Sequence, residues 1–400
     1  MKRYWKLFGM TLAILLCIGT FYTNLALSES RLPSIALHTQ FGDKKELGDF
    51  VIRGIYMSGN STRTLKLDQN GSRFISHGTF LSQLSNNGLP LTIQDLQKKY
   101  RNFMRGKSGS LTNFYEDQNK LVYSNFEGTN QIGGTGPNDF TLEIAILDKR
   151  EPSHPATHFT IPIRVNTAFE NVEDVQLVGN EVKIVTNSST GNGDNEIHLY
   201  SVNVSKQKLD GDLTLFSQSQ KTNVDSGYGP VLQVITQSDA LTPSKYIVVL
   251  ENSSSAYNPE LFLVNLLSGK KEQVTLPKGI KQQVFTKDTI GETSYLTGTK
   301  LELIKATEQG LTLYPYDIMT KELGRPVNVD FTNESSSLPM LTFKNDKVYI
   351  LTNFDQAKEN VCILENLETG TTLYKGKIEA EKGKLKVGQD KLSFQSIEVR

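Results

Sequence analysis

One short turn recurs along this 400-residue chain, and no other feature of the sequence restricts its fold as tightly. An Asp or Asn closes an apolar run, and Ser or Thr with Gly or Lys follows. Copies are Leu67-Asp68-Gln69-Asn70-Gly71, Val264-Asn265-Leu266-Leu267-Ser268-Gly269-Lys270, Tyr316-Asp317-Ile318-Met319-Thr320-Lys321 and Glu365-Asn366-Leu367-Glu368-Thr369-Gly370, with looser ones at Asp148 and Asn203. Such a side chain folds over its own backbone, and a second strand then returns. The Asp/Asn positions are separated by 80, 55, 62, 52 and 49 residues. The first spacing shrinks to an ordinary value if residues 81–108 are an insertion. A repeat near fifty residues in a β-rich chain points to propeller blades.

The segments between the turns agree. Runs such as Lys245-Tyr246-Ile247-Val248-Val249-Leu250 and Lys347-Val348-Tyr349-Ile350-Leu351 are β-branched and aromatic, bounded by Gly, Asn and Ser. Long helical periodicity is nearly absent, so the chain is expected to be all-β. Four-stranded units fall near 32–80, 110–163, 172–217, 230–277, 282–330 and 336–379. Two further strands in 384–400 are expected to pair with Ile35 to His38 and close a ring of six or seven blades. Generic hairpins in a pair of β-sandwiches are the alternative fold.

The Asp/Asn-x-x-Ser/Thr-Gly-Lys turn after an apolar strand resembles the blades of YVTN-type and quinoprotein-like propellers over most of residues 50–380. The resemblance implies architecture only. No Trp follows Trp5, so the tryptophan motifs of quinoprotein blades are missing and no quinone or other cofactor is expected.

Lys2, Arg3 and Lys6 precede an apolar run from Leu7, which extends to Leu27. This is the pattern of an export signal, read either as a single-pass anchor over 7–27 or as a peptide cleaved near Ser28. Residues 1–30 are thus set apart from a propeller domain over 31–400, expected on the outer side of a cell membrane. Basic and acidic residues balance at 43 each, which leaves no electrostatic footprint for nucleic acid. Two cysteines exclude a disulfide framework.

Chemistry-bearing motifs are sparse. His154 and His158 have a His-x-x-x-His spacing, but Pro152 and Pro155 deny them a helix. Gly-x-Ser-x-Gly is absent. Candidate binding residues therefore come from the longest connections, expected together at one end of the ring: Asn130, Asp139, Asp194, Tyr257 and Phe354. The insertion predicts a helix at the same end, capped by Thr92, with Ile93, Leu96, Tyr100 and Phe103 on one stripe and Lys98, Lys99, Arg101, Arg105 and Lys107 as its charge. That charge suits an anionic partner such as a phosphate-rich wall polymer or lipid headgroups. The expected function is a non-catalytic binding or scaffold module for a protein or cell-envelope ligand. The alternative is a propeller hydrolase or lyase, a metal-dependent one included, with its site at the channel mouth.

Overall fold

The computed structural model describes residues 4–30, 32–59, 61–75, 89–128, 138–151, 155–165, 167–190, 194–219, 231–237, 241–252, 258–285, 294–307, 309–331, 339–352, 360–382 and 390–400. The chain begins with α1 (Trp5–Ser30) and β1 (Ser34–Gly42), then β2 (Phe50–Ser58), β3 (Ser61–Asp68) and β4 (Gly71–Ile75). Two short helices follow, α2 (Leu91–Lys99) and α3 (Arg101–Met104). Next come β5 (Phe114–Glu116), β6 (Lys120–Gly128), β7 (Asn138–Asp148) and β8 (Thr157–Val165), then β9 (Thr167–Val178), β10 (Glu181–Thr190), β11 (Asn195–Asn203) and β12 (Lys208–Gln218). A further set is β13 (Val231–Ile235), β14 (Tyr246–Asn252), β15 (Glu260–Asn265) and β16 (Lys271–Val274). After α4 (Ile280–Val284) lie β17 (Ser294–Thr297), β18 (Lys300–Thr307), β19 (Gly310–Asp317), β20 (Glu322–Leu323) and β21 (Val327–Asp330). The chain ends with β22 (Met340–Lys344), β23 (Lys347–Leu351), β24 (Asn360–Asn366), β25 (Thr371–Lys382) and β26 (Asp390–Val399).

Among the described residues these strands form six antiparallel sheets, numbered here along the chain from β2–β4 to β22–β25. Successive strands pair within each sheet, and the first strands of neighbouring sheets touch, β5 with β9, β13 with β17 and β22 with β26. Sequential four-stranded meanders whose first strands gather at the centre define a β-propeller.

The recurring turn builds the outer hairpins. Asp68 Oδ1 accepts from the Asn70 amide at 2.7 Å, Asp148 from Arg150 at 3.0 Å and Asn203 from Lys206 at 3.0 Å. Asn265, Asp317 and Asn366 each accept from the amides two and three residues on, at 2.8 to 3.0 Å. In four of the copies the fifth turn residue is left-handed. Gly fills it at Gly269 and Gly370, whereas Gln207 (φ 50°) and Lys321 (φ 64°) carry a side chain there.

The ring closes differently from the sequence expectation. The tail strand β26 does not pair with Ile35 to His38. It joins β2, with Ile52 opposite Ile397 and Gly54 opposite Phe394, while β1 joins the outer edge of sheet six, with Leu37 opposite Ile378. One strand cannot cover two open edges, and this arrangement pairs both.

Apolar clusters join sheet two to three, three to four, four to five, five to six and six to one. The contact between sheets one and two is made otherwise. There Ile93 and Leu96 of α2, Phe103 and Met104 of α3, and Tyr100 between the two helices pack on Phe114, Leu121, Tyr123, Ala145 and Leu147 of sheet two. The helical insertion is a wedge in the ring. Leu241, between β13 and β14, joins the same cluster, and its carbonyl accepts from the Glu116 amide. Nearby, the Ser244 amide donates to Gln176 of sheet three, and Gln237 bonds Gly298 of sheet five in both directions. This segment of sheet four thus lies across one end of the ring. Among the described residues no helix is long and apolar enough to cross a membrane. The apolar side chains of α1, Trp5, Phe8, Leu15 and Leu16 among them, are exposed. Cys362 is fully buried with the apolar residues between sheets six and one, and burial pushes its thiol up to about 12.

Candidate anion-binding groove

The helix at 91–104 starts and ends where local signals do not place it. Its N-cap is Pro90, not Thr92, and Pro90 makes no side-chain cap. The cap comes from far along the chain: Glu398 Oε2 accepts from the Leu91 amide at 2.6 Å, where the helix dipole favours a carboxylate. Glu398 also pairs with the Arg53 guanidinium, which donates to the Leu89 carbonyl at 2.6 Å. Arg400 reaches Asp95 at 2.9 Å. The expected single helix is broken at Tyr100 (φ −124°, ψ 49°), so its last turn forms α3.

The predicted stripe is correct. Ile93, Leu96, Tyr100 and Phe103 are all buried. On the side turned away from it, Gln94, Gln97, Lys98, Arg101 and Arg105 follow helical spacing, and with Leu89, Asn102, Met104, Gly106 and Lys107 they line an open groove of about 1050 Å³. No carboxylate lines it. Among the described residues Arg101 and Arg105 form no ion pair, and Lys98 has only a loose, exposed one with Asp95 at 3.7 Å. Lys107 is already neutralised: it meets Glu143 at 3.1 Å and lies 4.3 Å over the Tyr123 ring. Lys99 points elsewhere, 5.0 Å over the ring of Tyr100, and the hydrogen bond there raises its pKa. Beside the groove, Lys66 is pushed down by burial and by its neighbours Arg53, Arg400 and Lys98, against the pull of Glu398. The region is positive before any ligand arrives.

The groove does not share an end with the long connections. The helices pack on the start of β6 and the end of β7, by Leu121 and Leu147, and beside Glu398 near the end of β26. Asp139 and Asp194 lie at the other end of these strands. Asp139 is exposed at the start of β7, and Asp194 closes the β10–β11 hairpin, its amide donating to Thr190 at 3.1 Å. The geometry therefore joins Lys98, Arg101 and Arg105 but brings neither aspartate to them. Asn130, Tyr257 and Phe354 lie outside the described residues, as does His154. His158 bonds Glu143 at 3.0 Å. Among the described residues, no three His, Cys, Asp or Glu converge to hold a metal ion. Gln94, Gln97 and Asn102 were legible as part of the same helical stripe; Lys66 and Arg400 carried no local signal.

An all-β propeller with a basic groove on an inserted helix is what the fold and site define. No family model matches the sequence, and no curated relative matches it. Solved structures with a similar course include TolB from Acinetobacter baumannii, at 10% identity and a TM-score of 0.36, covering 88% of this chain and 66% of that one. A Synechocystis apocarotenoid oxygenase mutant matches at 7% identity and a TM-score of 0.38, over 88% of this chain and 94% of that one. The β-propeller domain of the trilobed protease from Pyrococcus furiosus matches at 10% and 0.30, over 55% and 58%. The chain spans 66% of the TolB chain. Likeness this low carries no function, and the architecture stands on the strand pairing.

Proposed function

We propose that this chain is an exported, six-bladed propeller that works by binding rather than by catalysis, at the outer side of a membrane. Its ligand is a phosphate-bearing polyanion of the cell envelope, taken along the groove of α2 and α3. The observation that carries this reading is the groove itself: Lys98, Arg101 and Arg105 line it without a carboxylate. Arginine suits phosphate because its planar fork donates two hydrogen bonds at once, and Asn102 lines the groove beside it. The exposed apolar helix α1, with basic residues before it, supports the membrane part.

Long-chain inorganic polyphosphate is the probe, titrated into the full-length protein and into a variant with Lys98, Arg101 and Arg105 changed to Glu. Wild-type binding is expected to weaken as salt rises, and the variant to bind at least about tenfold more weakly. All three side chains are exposed, so the melting temperature should hold. Equal binding by both proteins would rule the groove out. In cells that express the full-length protein, its recovery from the soluble cytoplasm would rule out the membrane placement.

A further inference from the structure

A second cavity, of about 750 Å³, opens between sheets five and six. Its floor differs from the equivalent positions around the ring. The residue paired with the one two before each turn Asp/Asn is Arg53, Val122, Lys183, Val248, Glu302 or Tyr349. Three of the six are charged, and all three are buried, at 6%, 5% and 2% exposure for Arg53, Lys183 and Glu302. Arg53 meets Glu398. Lys183 meets Glu181 at 2.7 Å and Ser201 at 2.8 Å. Glu302 has no such answer: its Oε2 is buried without a hydrogen-bond partner.

A buried carboxylate oxygen without a partner is costly, so its retention needs a reason. Glu302 lines the cleft, whose rim carries the exposed carboxylates of Glu322, Asp346 and Glu368. Asp317 is there too, but both its oxygens are taken, by its own turn and by Thr299 at 2.8 Å. The cations are Lys300 and Arg325, so the lining is acidic on balance. We infer that this cleft binds a ligand ending in a primary ammonium, with Glu302 as the counter-ion at its floor and the rim carboxylates drawing it in. A compact ammonium can donate to a single recessed oxygen, which a planar guanidinium meets less well. Burial pushes the Glu302 carboxyl up to about 7, with Lys300 opposing and Asp346 adding to the rise, so an arriving cation would also hold it ionised.

The test is calorimetric titration of the full-length protein with spermidine and, separately, with a lysine-centred tripeptide blocked at both ends. Wild type is expected to bind one or both. Tighter binding of spermidine identifies free polyamines as the source, and tighter binding of the peptide identifies a lysine side chain. Glu302→Gln keeps shape and removes charge, and should weaken binding at least about tenfold. Asp346→Asn covers the case in which the buried variant does not fold. Asp346 is exposed and left-handed (φ 55°), a conformation Asn tolerates, so this variant folds and should bind about threefold more weakly. No binding by wild type to either probe overturns the inference, as does undiminished binding by the folded variants.

Discussion

At the scale of single residues, one buried titrating group that the proposed sites do not use is His198. Its ring is buried, stacked on Tyr200 at 5.7 Å, and held between Asp212 at 2.9 Å and Glu196 at 3.1 Å. Burial alone would lower its pKa, but the two carboxylates outweigh it and raise it to about 9. A folded value above the ordinary one of about 6.5 means protonation stabilises the fold. That stabilisation is complete below about pH 6.5 and is lost as pH rises through about 9, by about 3 kcal/mol at most. Denaturant melts between pH 6 and 9.5 should therefore show falling stability, and His198→Gln should flatten the slope. A wild-type curve as flat as the variant's would contradict the ion pairs. The sequence showed five histidines, but nothing local distinguished this one. Its partners lie two residues away on its own strand and across a hairpin, a geometry that follows from strand register.

At the scale of elements, the wedge helix depends on one carboxylate. Glu398 caps Leu91 and balances a buried Arg53. Glu398→Ala would remove the Leu91 cap and the Arg53 counter-ion, at a cost of about 3 kcal/mol, and should speed amide exchange across 91–99. Glu398→Gln keeps an oxygen for the Leu91 amide and should fall between the two. A change below about 0.5 kcal/mol for the alanine variant would show that the helix is seated by its apolar stripe alone. The stripe was readable because Ile93, Leu96, Tyr100 and Phe103 obey a local period. The cap was not, since its donor and acceptor are 307 positions apart. Thr92 looked like a cap because the sequence nearby offered nothing better. Likewise, Glu302 reads as an ordinary strand residue until the ring supplies the equivalents that have partners.

For the whole molecule, closure rests on β26, which brings Phe394 and Ile397 into the core between sheets six and one. Removing residues 390–400 would uncover the β2 edge and also take away Glu398 and Arg400. The shortened chain should lose its single cooperative unfolding transition, read by circular dichroism against urea. A transition unchanged in midpoint and slope would mean the ring is held without this strand. The six turn copies made the repeat legible because each Asp or Asn acts on its own backbone, within three residues. Which terminal strand joins which sheet was not legible. β1 and β26 both alternate apolar residues well enough to fit either edge, and only the assembled ring distinguishes them. The end at which the helix docks was hidden for the same reason.

The two terminal pairings also set a clock. Synthesis delivers β1 before the other strands, yet its partner β25 begins only at Thr371, and β2 waits for β26 until Asp390. Sheets two to five can each be completed as they emerge, while the first and last stay open. The growing chain thus holds two unpaired strand edges until residues 390–399 appear, and any chaperone that meets it has those edges to shield for that interval.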